Sequence, residues 1–85
     1  LKDQKKYEPA AVAFKKALEI DPALHDAVYN LGMTYADWFD ESRSNDHKDK
    51  AREYLQKFVA GGGGKEGGAG YVKAANDKLY ALSGP

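Results

Sequence analysis

An all-α fold of about four helices, arranged as antiparallel helix-turn-helix units, is predicted for this 85-residue chain by three observations. Apolar residues recur at spacings of three and four along four separate stretches, the pattern of a helix that buries one face. No stretch of useful length alternates apolar and polar residues with the period of two that a half-buried strand needs. The interruptions fall on proline, on clustered glycine and on short polar runs, which are the residues that end helices.

The first helix is expected over residues 7–20, where Ala10, Ala11, Phe14, Ala17 and Leu18 form the apolar stripe. Pro9 suits its first turn because the amide that proline lacks would have no intrahelical partner there. Asp21-Pro22 ends it, since proline disfavours helical geometry in the residue before it. A second helix, about 24–42, carries Ala27, Val28, Leu31, Tyr35, Trp38 and Phe39. The polar run Ser42-Arg43-Ser44-Asn45-Asp46 offers side chains able to cap a third helix at about 46–60, with Ala51, Tyr54, Leu55, Phe58 and Val59 inward. The second and third helices are expected to pair as a hairpin. Residues 61–70 contain seven glycines, which maximises backbone entropy and predicts a connector. Val72, Ala75, Leu79 and Leu82 line a last helix, with Lys73, Asn76, Asp77 and Lys78 on its wet face and Ser83-Gly84-Pro85 as its stop. The organisation is thus helical repeats over 1–60, a Gly-rich linker over 61–70 and a C-terminal capping helix within 71–85.

Composition removes several classes of function. Thirteen basic and thirteen acidic side chains leave no net charge, hence no global field to gather nucleic acid or an anionic membrane. Without cysteine there is neither a disulfide framework nor a thiolate metal site, so compartment stays open between cytoplasm and periplasm. No apolar run approaches the roughly 20 residues of a membrane-spanning helix, and no direct membrane insertion is expected. The first residue, Leu1, points to a processed chain or a piece of a longer one.

The spacing of particular residues adds a family resemblance. Ala10, Phe14, Ala17 and Pro22, followed by Val28, Leu31, Gly32 and Tyr35, resemble the tetratricopeptide repeat family taken out of phase. There a Leu-Gly pair and a tyrosine mark the first helix of a repeat, and an Ala-x3-Phe pattern with a closing proline marks the second. Gly32 and Ala10 stand where helices approach closely, and Phe14 and Tyr35 where layers are filled. The chain departs from the pattern beyond Tyr35. Ala51 comes about seven positions late and Leu55 stands where phenylalanine is usual, which reads as an insertion that carries Trp38 and Phe39 past the repeat edge.

The resemblance implies a non-catalytic scaffold for protein–protein interaction, with another protein or a second copy of the chain as partner. The alternative is a structural or accessory subunit permanently packed in a larger, possibly membrane-associated, complex. In the family the first helix of each repeat builds the concave surface; carried onto this sequence, that gives Asp26, Tyr29, Asn30, Met33 and Asp37 as partner-facing candidates. Phe14, Leu18, Trp38 and Phe39 are edge candidates. In this register Leu1 lies near the end of the leading repeat's first helix, so the face bearing Ala11, Phe14 and Leu18 is expected to need cover from elsewhere. Asn30 resembles an asparagine that some members use on a peptide's terminal carboxylate, but Asp26 and Asp37 would repel such a group.

No residue set reads as catalytic. Gly62, Gly64 and Gly67 match a dinucleotide-binding spacing without the preceding strand that motif requires. His25 and His47 lack a nucleophile in a recognisable context. Asp37, Asp40, Glu41, Asp46, His47 and Asp49 are acidic or ligand-capable but match no calcium loop. The sequence therefore predicts no enzyme, cofactor, metal or small-molecule substrate. The aromatic residues lack the basic patch of a nucleic-acid interface.

Overall fold

The computed structural model describes residues 6–61 and 69–83. These form four helices in chain order, α1 (Tyr7–Ile20), α2 (His25–Ser42), α3 (Asn45–Ala60) and α4 (Ala69–Ser83). The chain occupies 37 × 32 × 18 Å, a flat body two helices thick given the 8–10 Å between packed helix axes. α1 packs on α2, α2 pairs extensively with α3, and α4 lies mainly along α3 while also reaching α2.

Each end of a helix has a local cause. α1 stops where Asp21 turns extended (φ −142°, ψ 94°) ahead of Pro22, as the steric demand of proline requires. The Asp21 carboxylate then accepts the Ala23 N–H at 3.1 Å and its carbonyl accepts that of Leu24 at 3.1 Å, closing a turn between α1 and α2. α2 ends at Arg43 in the left-handed region (φ 57°, ψ 23°), the Arg43 N–H donating to the Phe39 carbonyl at 2.7 Å. Only Arg43 and Ser44 separate α2 from α3, so the two helices run antiparallel.

Three boundaries differ from the sequence reading. α2 begins at His25, and α3 begins at Asn45 with no side chain capping it. The Ser42 hydroxyl accepts the Ser44 N–H at 3.1 Å and shares a 2.8 Å hydrogen bond with His47 Nδ1, which ties the connection down without a helix cap. The third difference is at the glycine run. Gly61 caps α3 from a turn and α4 begins at Ala69, so the last two residues of the expected linker belong to a helix; its residues 62–68 lie outside the described residues. Gly70 is exposed in the first turn of α4, with open space where a side chain would stand.

One core joins all four helices. Ala11, Val28, Leu31, Tyr35, Ala36, Ala51, Leu55, Phe58, Ala75 and Leu82 are buried together. Leu31, Leu55 and Phe58 are fully enclosed, each contributing about 1.5–3 kcal/mol by leaving water. Gly32 sets the α2–α3 distance. A methyl carbon built there would stand 2.8 Å from Leu55 Cγ and Cδ2 and 3.2 Å from the Leu55 backbone nitrogen.

The face of α1 expected to lack cover is covered from within the chain. Ala11 is buried, and Phe14 and Leu18 are half-buried against the same core, because the stripe turns toward α2. The apolar side chains left in solvent are others: Ile20 at 87%, Val12 at 48% and, in the turn, Leu24 at 39% exposure.

Candidate functional site

Helical spacing puts Asp26, Tyr29, Asn30, Met33 and Asp37 along one side of α2. The structure places the first three together. Asp26, Tyr29 and Asn30 line a cleft of about 210 Å³ with Phe58 from α3 and Tyr71 from α4. Met33 is half-buried and packs against the core, while Asp37 is exposed outside the lining. Seven residues of helix separate Asp37 from Asn30, about 10 Å along the axis.

Tyr29 organises the cleft. Its ring centroid lies 5.0 Å from that of Phe58, tilted by 50°, and 5.2 Å from that of Tyr71 in an edge-to-face arrangement. These are favourable geometries for ring quadrupoles, and they fix Tyr29 as the floor between two helices. Tyr71 remains 56% exposed, so much of its ring faces solvent. The Thr34 hydroxyl donates to the Asn30 carbonyl at 2.7 Å. The Asn30 side-chain amide has no partner among the described residues and is available to a ligand.

Phe58 and Tyr71 were not expected at this site. Phe58 belongs to the apolar stripe of α3, and Tyr71 precedes the final stripe, four residues before the buried Ala75. A signal for Tyr71 exists in that i, i+4 relation, which sets it at the edge of the buried face of α4.

The electrostatics of α2 are one-sided. The helix carries Asp26, Asp37, Asp40 and Glu41 and no lysine or arginine. None of these carboxylates has an ion-pair partner among the described residues, whose one ion pair is Lys73 with Asp77 at 3.1 Å on α4.

The edge candidates Phe14, Leu18, Trp38 and Phe39 are half-buried against the same core. Trp38 stacks on His47 at 3.9 Å, on Tyr35 at 5.8 Å and on Tyr7 at 6.2 Å. Tyr35 in turn stacks on Tyr54 at 6.0 Å. Phe39 lies beneath Arg43 at 5.4 Å and Lys48 at 5.8 Å. The Lys15 ammonium sits 5.4 Å above the Tyr35 ring. The Tyr35 side chain beside it holds that ammonium above the ordinary lysine value, partial burial opposing the shift. The last turns of α2 thus carry a satellite aromatic cluster packed on that core, and Phe14, Leu18, Trp38 and Phe39 are half-buried rather than an open apolar patch. Among the described residues no group of three His, Asp or Glu converges as metal ligands would. No helix among them is long and apolar enough to cross a membrane.

The sequence profile of the TPR repeat matches residues 1–37. Over that stretch the chain is similar to the tetratricopeptide repeat family. The matched stretch includes α1 and α2 as far as Asp37, so the three cleft residues of α2 fall inside it and the Phe58 and Tyr71 walls fall beyond it. Tetratricopeptide repeat proteins are generally non-catalytic scaffolds for protein–protein interaction. No curated protein and no solved structure matches the chain.

Proposed function

We propose that this chain is a protein-interaction module that holds a segment of a partner in the cleft between α2 and α4. The observation that carries the reading is the convergence of Asp26, Tyr29 and Asn30, on the helix that the family turns toward its partners, with Tyr71 and Phe58 around one concavity. Rigid aromatic surface with a few orienting polar groups is the composition of a binding hot spot. A synthetic peptide array probed with the chain tests it. Selected peptides are expected to lose at least about ten-fold in affinity on Asn30→Arg, a substitution that fills an exposed position of the cleft and leaves the core intact. Peptides that bind Asn30→Arg as tightly as the parent chain, or an array that selects nothing, would refute the reading.

A second reading is supported by Ile20, Val12 and Leu24, which stand in solvent. It makes the chain an accessory subunit packed in a larger assembly, since apolar side chains left in water favour association. Sedimentation equilibrium separates the two. A monomer at all concentrations supports the interaction module; a dimer or larger species that Ile20→Lys returns to monomer supports the subunit.

A further inference from the structure

We infer that the occupant of the cleft is a basic segment of a partner protein, anchored by an arginine side chain. The inference rests on the cleft being the binding site and adds the chemistry of what enters it. About 210 Å³ is below the roughly 300 Å³ at which drug-sized ligand pockets begin. The space therefore admits one or two side chains of a peptide and not a cofactor.

The groups around that space decide which side chain. Asp26 is the one formally charged residue of the lining, and it has no ion-pair partner among the described residues. Asn30 contributes an amide oxygen that can accept a hydrogen bond, and Tyr71 contributes an exposed ring face. A planar cation with several N–H donors meets all three at once: a forked pair to carboxylate and amide oxygen, and stacking on the ring. Lysine satisfies the charge and leaves the planar stack unmade. A carboxylate would meet Asp26 at close range and be repelled.

The surroundings extend the same sign. The chain as a whole is neutral, yet α2 holds four carboxylates and no Lys or Arg. On α4 the nearby Lys73 is engaged by Asp77. Asp37 lies about 10 Å further along α2, beyond the roughly 8 Å screening length, so it adds attraction for a basic segment long enough to run beside it.

The probes are an acetylated Gly/Ser peptide with spaced arginines, the same peptide with lysines, and the same peptide with citrullines, which keep the shape and lose the charge. Each is titrated into the 15N-labelled chain and read by amide shifts. Expected are shifts centred on Tyr29, Asn30 and Tyr71 with the arginine peptide, at least about ten-fold weaker binding of the citrulline peptide, and intermediate binding of the lysine peptide. Asp26→Asn is expected to weaken the arginine peptide about three- to five-fold, and Tyr71→Leu, which keeps apolar contact with Tyr29, about three- to ten-fold. Citrulline binding equal to arginine at the cleft, or acidic peptides selected on the array, would overturn the arginine anchor and leave the cleft as the binding site. Arginine-dependent binding that ignores both substitutions would place the attraction elsewhere on α2 and overturn it too. Silence of the cleft toward these peptides and toward every array-selected peptide would remove both proposals together.

Discussion

Replacing Gly32 with alanine puts a methyl carbon 2.8 Å from Leu55 Cγ and Cδ2 and 3.2 Å from the Leu55 backbone nitrogen. Carbon atoms rest about 3.5–4.0 Å apart, so the contact must open by about 1 Å. Leu55 is fully enclosed, so its side chain must shift inside the core. One of the crowded atoms is backbone, at 3.2 Å, so α3 must also give by a few tenths of an ångström. Overpacking of this kind costs about 1–3 kcal/mol, and the better helix propensity of alanine returns about 1 kcal/mol. The expected net destabilisation is therefore about 1 kcal/mol, or a loss of roughly 4–8 °C in melting temperature for a chain of this size. Gly70→Ala is the internal control. Its methyl would meet nothing within 4 Å, leaving only the backbone effect, a gain of up to about 0.5–1 kcal/mol. Thermal and urea unfolding followed by far-ultraviolet circular dichroism measures both. Opposite signs for the two substitutions are expected; Gly32→Ala at or above the parent stability would refute the close approach of α2 and α3.

Three other perturbations follow from the structure. Arg43→Gly is expected to raise stability by about 0.5–1 kcal/mol in urea unfolding, since a side chain at φ 57° carries strain that glycine does not, less whatever the Arg43 stack on Phe39 contributes. Trp38→Ala should cost about 2–3 kcal/mol, near the lower end for a large aromatic because the ring is half-buried, and should disperse the Tyr7, Tyr35 and His47 resonances in NMR spectra; a neutral substitution would mean that the satellite core holds nothing together. The contribution of the Lys15–Tyr35 contact is governed by a raised lysine value in the folded state. It is therefore complete below the unfolded value near 10.5 and lost as pH rises through the folded one. Melting curves of the parent chain should fall more steeply in that alkaline window than those of Lys15→Met.

The sequence makes the helices legible because each carries its own period, and a close approach at Gly32 legible through its resemblance to the Leu-Gly pair of a tetratricopeptide repeat; that Leu55 is what meets Gly32 comes from the structure. Asp26, Tyr29 and Asn30 could be grouped for the same reason, being neighbours on one turn and a half of α2. Phe58 and Tyr71 could not, because no local period links α2 to side chains about 30 and 40 residues away. Which neighbour covers α1 was hidden for a related reason: a stripe containing Ala11, Phe14 and Leu18 states that a face is apolar and says nothing of what meets it. Met33 and Asp37, grouped with Asp26, Tyr29 and Asn30 on the same side of α2, lie outside the cleft lining, to which α4 contributes Tyr71. Trp38 and Phe39, placed past the repeat edge where either a local satellite core or a partner could cover them, meet Tyr7, His47, Arg43 and Lys48 at the junction of three helices.

Tyr71 belongs to α4, whereas the other four residues of the cleft belong to the α2–α3 hairpin. The cavity therefore exists only while α4 is docked, and α4 is held by a short set of contacts, with Ala75 and Leu82 buried and Val72 and Leu79 packed beside them. Occupancy of the cleft and attachment of α4 are then two arms of one thermodynamic cycle, each raising the other by the same factor. A chain whose α4 detaches even part of the time binds more weakly in proportion to that fraction. Amide exchange along α4, slow when the cleft is filled and faster when it is empty, is where that reciprocity would be read.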